Sequence, residues 1–290
     1  MARVKKRILI TGAKGFIGRN LVEQLGDTYT LYAPGKDILN LLDEEMVDVF
    51  FRTHKIDVVI HAAVVGGSRT EEKADNALRD NLRMFFNLLK QDKRYKRMIF
   101  LGSGAEYNKR RPLIKVKEVA FGNQIPEDDY GFSKYMCSKY IEHTKNIINL
   151  RIFGLYGKYE DYRYRFISNA IYQSLSKKTI NMNQNVFFDY VYIDDFVKIV
   201  DHFITTKKLK HSFYNIGTGK KVDLRTLAQE IREIAGNNTK VVVKKRGLHK
   251  EYTCDSSRLM EEMRGFRFVE RKKAIAELHQ WYKRCEMGMI

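Results

Sequence analysis

The sequence predicts an α/β fold, a doubly wound parallel sheet followed by a smaller α/β region. Three observations carry that expectation. A short apolar run over 8–10 stops at glycines spaced three apart, strands and helices then alternate to about residue 157, and beyond it the alternation loosens.

The first strand ends at Thr11, and a phosphate-binding turn follows it. Gly12, Gly15 and Gly18 let the backbone turn sharply, approach a pyrophosphate closely and pack the next helix tightly on the sheet. The pyrophosphate would rest on N–H groups at that helix's N-terminus, where the helix dipole favours negative charge. Gly12, Lys14, Gly15, Phe16, Ile17 and Gly18 are therefore expected to contact a dinucleotide cofactor.

Phe16, Ile17, Leu21, Val22 and Leu25 share one side of a helix over 16–25, which Gly26 ends. A strand over 29–33, a helix over 44–54, a strand over 57–63 and a longer helix over 75–91 come next. The strand over 97–103, the helix over 130–145 and the strand over 147–153 complete the alternation. Such βαβ units build a parallel sheet whose ligands bind beyond the carboxyl ends of the strands.

The expected division is a dinucleotide-binding domain over 1–157 and a mainly substrate-binding region over 158–290, with about 186–216 returning to the first domain. The second region opens with an Arg/Tyr-rich segment over 158–165, a helix over 166–175 and an aromatic strand over 186–192. Asp194 and Asp195 are read as caps of a helix running to about 205, before a strand over 213–216. Asp223 is expected to cap a helix over 224–235 that Gly236 ends; a strand over 241–243 and helices starting near Asp255 and Glu270 finish the chain.

Composition excludes several classes. Apolar content is ordinary, and three prolines in 290 residues give no sign of disorder. No stretch approaches the roughly 20 apolar residues of a membrane helix, and the run after the basic residues 3–7 is too short for a signal-peptide core. Cys137, Cys254 and Cys285 are odd in number and scattered, so neither a metal site nor a disulfide framework is expected, and reduced thiols in a soluble cytoplasmic protein are. The net charge of +18 raises nucleic-acid binding. Lys and Arg are nevertheless spread along the whole chain, and clusters at 5–7, 93–97, 109–111 and 244–246 read as solvated surface. The same positive field draws small polyanions such as nucleotides.

Tyr130 and Lys134 stand four residues apart, so on a helix both project from one face. A tyrosine with pKa about 10 is a sluggish acid at neutral pH, and a nearby ammonium brings that value down. Tyr135 and Lys139 repeat the spacing five residues later, which turns the helix by roughly 140°, so the two pairs cannot serve one site. Tyr130 is the expected acid because it follows the loop Pro126-Glu127-Asp128-Asp129 and opens the helix near the sheet's carboxyl edge, with small Gly131 and Ser133 beside it. Tyr135 and Lys139 are then packing or surface residues. Ser103, where the fourth strand runs out into Gly104, is placed to hold a carbonyl while Tyr130 delivers a proton.

These pieces together resemble the extended short-chain dehydrogenase/reductases that act as nucleotide-sugar epimerases, dehydratases and reductases. The matching segments are Thr11-Gly12-Ala13-Lys14-Gly15-Phe16-Ile17-Gly18, His61-Ala62-Ala63, Ser103 four residues before Tyr107, Tyr130-Gly131-Phe132-Ser133-Lys134, Leu150-Arg151-Ile152-Phe153-Gly154-Leu155-Tyr156-Gly157, Asp189-Tyr190-Val191-Tyr192-Ile193-Asp194-Asp195 and Tyr214-Asn215-Ile216-Gly217. The resemblance implies a Rossmann fold, a Ser103/Tyr130/Lys134 triad with Lys134 also on the nicotinamide ribose, and Ala62, Ala63 and Asn81 near the cofactor. It also implies a nucleotide-diphosphate sugar as substrate and a homodimer built from the helices of the 75–91 and 130–145 segments.

The second strand ends in Ala33-Pro34-Gly35-Lys36 where an NAD enzyme usually carries an acid. Lys36 and Lys14 suit a 2′-phosphate and favour NADPH, while Asp37 keeps NAD open. Lys36, Asn40-Leu41-Leu42-Asp43 and Val65-Gly66-Gly67 are similar to GDP-fucose synthases, NADPH enzymes that epimerise and then reduce a 4-keto sugar, and Lys36, Asn40 and Leu41 are expected at the cofactor. In those enzymes a cysteine stands two residues after the serine, where this chain has Ala105, and the partner histidine has no counterpart in 158–165. A plain reduction of a keto nucleotide-sugar, with C4 favoured, is thus expected, ahead of an NAD-dependent 4-epimerase. A 4,6-dehydratase ranks lower, because its adjacent acid pair is replaced by a displaced Glu106. A non-catalytic cofactor-sensing or nucleic-acid-binding protein ranks last, since Ser103, Tyr130 and Lys134 are all present. Substrate contacts are expected at Ser103, Ala105 and Tyr130. Phe188 replaces the family's phosphate arginine, so Arg163, Arg165 and the run Lys244-Lys245-Arg246 are the candidates for the diphosphate, Arg246 foremost in that run.

Overall fold

A computed structural model describes residues 5–66 and 76–286. Gly67 and Asp75, expected in a loop and at a helix start, lie outside the described residues. The chain forms two compact units. The first takes the described residues of Met1–Arg110, Glu118–Ile152 and Val197–Asn215; the second takes those of Arg111–Lys117, Phe153–Phe196 and Ile216–Ile290. The change of unit thus falls at Ile152, where the sixth strand ends, rather than at 157, and the returning segment is 197–215 rather than 186–216.

In the first unit, β1 (Arg7–Thr11) leads through α1 (Phe16–Leu25) to β2 (Thr30–Tyr32), α2 (Glu44–Thr53), β3 (Val58–His61), α3 (Ala77–Leu89) and β4 (Arg97–Ser103). After β5 (Leu113–Val116), which belongs to the second unit, come α4 (Asp129–Ile141) and β6 (Ile147–Ile152). Ile8, Leu9 and Ile10 are wholly buried and register against Val58, Val59 and Ile60, which explains the unbroken apolar run. Leu9, Val59, Phe100, Phe85 and Cys137 share one core with Val47 and Phe51 of α2. Helix α2 starts where the Asp43 carboxylate accepts from the Met46 N–H at 3.0 Å. Helix α4 stops at Ile141, short of the expected 145, because Thr144 gives both its N–H and its hydroxyl to the Ile141 carbonyl.

The second unit contains β7 (Leu155–Tyr156), α5 (Phe166–Leu175), β8 (Ile180–Asn185), β9 (Phe187–Phe188) and β10 (Val191–Tyr192). Helix α6 (Ile193–Thr205) and β11 (Phe213–Ile216) carry the chain through the first unit and back. Then follow β12 (Val222–Asp223), α7 (Leu224–Ala235), β13 (Val241–Leu248), β14 (Tyr252–Cys254), α8 (Ser257–Glu262) and α9 (Arg271–Glu286). The large sheet has the order β11-β6-β4-β3-β1-β2, so the winding reverses between β1 and β3, beside the glycine turn.

Three expectations need correction here. The single strand over 186–192 is two, β9 and β10, because Asp189 between them turns its carboxylate to the Thr218 and Gly219 N–H groups, each at 2.8 Å. Asp194 and Asp195 lie inside the first turn of α6 rather than capping it, and buried Asp195 accepts from the Val269 N–H at 2.7 Å. The strand expected over 241–243 runs on to Leu248, pairing in parallel with β8.

Candidate active site

Gly12 has φ +68°, and a Cβ there would lie 2.7 Å from the Ala63 N and 2.8 Å from the Ala62 C. The turn after β1 is thus pressed against the Ala62–Ala63 backbone after β3, and only glycine leaves this cradle open. Helix α1 begins at Phe16 with no side-chain cap and no acid in its first turn, so its leading N–H groups and dipole suit a phosphate. Lys14 is exposed beside this turn. Thr11 binds the two strand ends together: its hydroxyl lies 2.9 Å from His61 Nδ1 and accepts from the Ala63 N–H at 3.2 Å. Burial, with Lys134 adding to it, pushes the His61 imidazole down to about 3, so it is neutral.

Ser103 ends β4 and caps a single 3-10 turn over Gly104–Tyr107. Its Oγ accepts from the Ala105 N–H at 3.1 Å, which leaves the hydroxyl proton to donate. Asp128 caps α4 by accepting from the Gly131 N–H at 2.9 Å, and this sets Tyr130 in the first turn of the helix. A Cβ on Gly131 would sit 3.0 Å from the Ala105 carbonyl oxygen, so α4 opens directly against the Ser103 turn. Lys134, one turn further on, is buried; its ammonium donates to the Leu101 carbonyl at 2.7 Å and lies 4.5 Å from the Phe100 ring centre. Burial lowers the Lys134 pKa, while Cys137 and Glu106 work against that shift.

The second tyrosine–lysine pair falls out as packing. Tyr135 is buried against Phe121 and Phe132, and Lys139 pairs with Glu142 at the surface at 2.7 Å. Asn81 links the loop after β3 to α4: it exchanges two 2.8 Å bonds with the Val65 backbone and donates to Ser133 Oγ at 3.2 Å.

At the end of β2, Gly35 is crowded by both the Asp37 carboxylate and the Lys14 ammonium, the latter 3.1 Å from where a Cβ would be. The turn therefore gathers a cation and an acid, with Lys36 exposed beside them. Asn40 folds back onto the chain, its Oδ1 accepting from the Leu42 N–H at 3.2 Å. The Leu41 side chain lies in the core and its carbonyl accepts from Asn87 at 2.8 Å.

The three arginines expected at the diphosphate lie in the second unit. Arg163 is exposed and forks onto Asp161 with bonds of 2.9 and 2.8 Å. Arg165 precedes α5, and Arg246 lies on the exposed half of β13. Phe188 packs on Tyr190 and Tyr252.

A buried polar network escaped the sequence reading. Glu106 and Arg151 form an ion pair at 2.6 Å with side chains 0% and 1% exposed. Arg151 also donates to the Tyr107 hydroxyl at 3.0 Å, which donates to Asn215 Oδ1 at 2.8 Å. The available signal was two polar residues, Asn149 and Arg151, alternating with the apolar residues of a buried strand.

A glycine cradle at the crossover of a doubly wound sheet, followed by an uncapped helix, defines a dinucleotide-binding α/β protein. The profile of the NAD dependent epimerase/dehydratase family matches residues 8–217, and the chain belongs to that family, whose members are NAD(P)-dependent enzymes. It is 25% identical to a GDP-L-fucose synthase of Escherichia coli (strain K12), over 96% of this chain and 97% of that one. It is 23% identical to an ADP-L-glycero-D-manno-heptose-6-epimerase of Brachyspira hyodysenteriae, over 78% of this chain and 80% of the relative. Among solved structures, a GDP-mannoheptose C4 reductase from Campylobacter jejuni with NADP bound matches with a TM-score of 0.82 at 21% identity, covering 98% of this chain and 100% of that one. A UDP-glucose 4-epimerase from Thermotoga maritima matches with the same TM-score and identity over 97% and 99%. These structural matches share the fold.

Among the described residues, no helix is long and apolar enough to cross a membrane. No group of three or more His, Cys, Asp or Glu among them could hold a metal ion.

Proposed function

We propose that the chain is an NADPH-dependent reductase of a keto nucleotide-sugar, with C4 as the favoured carbon. The observation that carries this reading is the close approach of the α4 opening turn to the Ser103 turn, with Lys134 buried one helical turn beyond Tyr130. Gly12, Gly15, Gly18 and the start of α1 would hold NADPH, which when bound would supply a hydride to the carbonyl carbon. Tyr130 gives its phenolic proton to the carbonyl oxygen, so that one C–H and one O–H bond form as the C=O double bond becomes single. Ser103 donates to the same oxygen as negative charge develops on it. The Lys134 ammonium favours the phenolate left on Tyr130 and would bond the nicotinamide ribose when the cofactor is bound. Buried Ala105 has no side-chain group to shuttle a proton from carbon, which supports reduction without epimerisation. Arg163, Arg165 and Arg246 remain the candidates for the diphosphate, and Arg163 would have to leave Asp161 to serve it.

A 4-epimerase that retains NAD is the second reading, favoured by the Asp37 carboxylate beside Gly35, where a ribose hydroxyl could be bound. Homodimerisation through α3 and α4 fits the exposure of Phe86, Met136 and Tyr140, at 38%, 41% and 44%. Denaturing freshly purified protein and identifying the released dinucleotide separates the two readings. An empty site that prefers NADPH over NADH and turns over a 4-keto nucleotide-sugar is the expected result; stoichiometric retained NAD would select the epimerase.

A further inference from the structure

The geometry points to Glu106 as the positioning residue of this site: its carboxylate fixes the Ser103 turn and clamps α4, with Lys134, to the sheet. The inference rests on the proposed Ser103/Tyr130/Lys134 chemistry.

Glu106 has no solvent exposure, and its two oxygens gather donors from three elements. The Ser103 N–H at the end of β4 donates at 3.0 Å. Ser138 Oγ, on α4 one turn after Lys134, donates at 2.6 Å. From β6, Asn149 Nδ2 donates at 3.2 Å and Arg151 Nε at 2.6 Å. Gly102 has no room for a side chain because Asn149 Oδ1 and Glu106 Oε1 already fill the space. A shift of Glu106 therefore moves Ser103 and α4 relative to each other.

Stability alone gives little reason for such a pair, since apolar residues of equal volume often serve as well as a buried ion pair. What the pair adds is register and charge. The Arg151 guanidinium lies 4.1 Å from the Phe121 ring centre and 4.6 Å from that of Phe213, so without Glu106 it is a buried cation with aromatic faces and Tyr107 as its neighbours. Lys134 is faced by neutral His61 from β3, by Phe100 and the Leu101 carbonyl from β4, by Cys137 on its own helix, and by Glu106. Glu106 is the carboxylate of that set, and it opposes the loss of the Lys134 proton that burial promotes.

The test is Glu106→Gln, which keeps the shape and removes the charge, with Glu106→Asp as the conservative variant. For reduction of a 4-keto nucleotide-sugar, kcat should fall about 100-fold in Glu106→Gln, the cost of a misplaced reacting group, with little change in KM. Removing a negative charge lowers the pKa of every nearby acid, so the alkaline limb of the kcat profile should move down by about one pH unit. Glu106→Asp should restore the position of the limb. If Glu106→Gln does not fold, Glu106→Gln/Arg151→Gln removes the Arg151 cation together with its partner and is read by the same fall in kcat. An unmoved limb in folded Glu106→Gln, an unchanged kcat in the folded double variant, or failure of both variants to fold, overturns the inference. Should the wild-type protein reduce no 4-keto nucleotide-sugar, the reductase reading fails, and NADPH affinity against pH then reads the Glu106 inference. Wild type should hold NADPH to higher pH than Glu106→Gln, and coincident curves would refute it.

Discussion

Tyr130 and Tyr135 each stand four residues before a lysine, and packing alone makes them different. Tyr130 opens α4 beside the Ser103 turn, whereas Tyr135 is buried among Phe121 and Phe132. Tyr130→Phe should therefore reduce kcat by about 10²- to 10⁴-fold while sparing dinucleotide binding, and Tyr135→Phe should leave kcat close to wild type. Parallel steady-state assays and NADPH titrations of the two variants decide this; loss in Tyr135→Phe alone would reverse the assignment. The spacing was legible in the sequence, as were Ser103 and the glycines. Glu106 was not, because its partners Asn149 and Arg151 are 43 and 45 residues away and only the pairing of β4 with β6 brings them together. In the second unit, burial pushes the Glu160 carboxyl up to about 8, opposed by Ser168, which donates to it at 2.6 Å. The folded chain then holds a proton that the unfolded chain releases near the ordinary carboxyl pKa. This contribution is fully present below that value and is lost as pH rises through about 8. Stability should fall across the window by at most about 1.4 kcal/mol per pH unit, and Glu160→Gln should flatten the fall. Denaturant midpoints at several pH values check it; parallel slopes for the two proteins would refute it.

At the scale of elements, local chemistry sets many boundaries. Asp43, Asp128 and Asp223 each cap the helix that follows. The Asp223 carboxylate accepts from the Arg225 and Thr226 N–H groups at 3.1 and 3.2 Å and also holds Asn185 at 2.9 Å. Asp223→Ala should cost about 1–2 kcal/mol, the worth of a cap with a further bond, read from urea titration. An unchanged midpoint would mean that α7 starts as well without its cap. Strand β8 was readable but missed: Ile180 and Met182 point inward while Asn181 and Asn183 are exposed, the alternation of a half-buried strand. Its partner β13 was legible only at its apolar start, because Lys244, Lys245 and Arg246 carry no apolar face and join the strand through backbone pairing with β8. The break at Asp189 likewise depends on a turn 29 residues later.

For the whole molecule, the charge of +18 has a kinetic consequence. A net positive field draws anionic ligands inward, and salt screens it over about 10 Å at 0.1 M. NADPH association, followed by stopped-flow fluorescence, should slow as ionic strength rises, while dissociation changes less. A salt-independent association rate would show that the charge acts only at the surface. By itself the sequence determined the α/β class, the dinucleotide turn, the order of the main strands and helices, and the residue types available for catalysis. These follow from short-range causes: the apolar period, glycine at a positive φ, and a carboxylate two or three residues from the N–H it caps. The tertiary structure decided which tyrosine opens its helix beside the Ser103 turn, which acid accepts from the Ser103 N–H, and where the chain passes from one unit to the other. Each of these depends on groups tens of residues apart being desolvated together, and only the parallel pairing of distant strands brings them into contact.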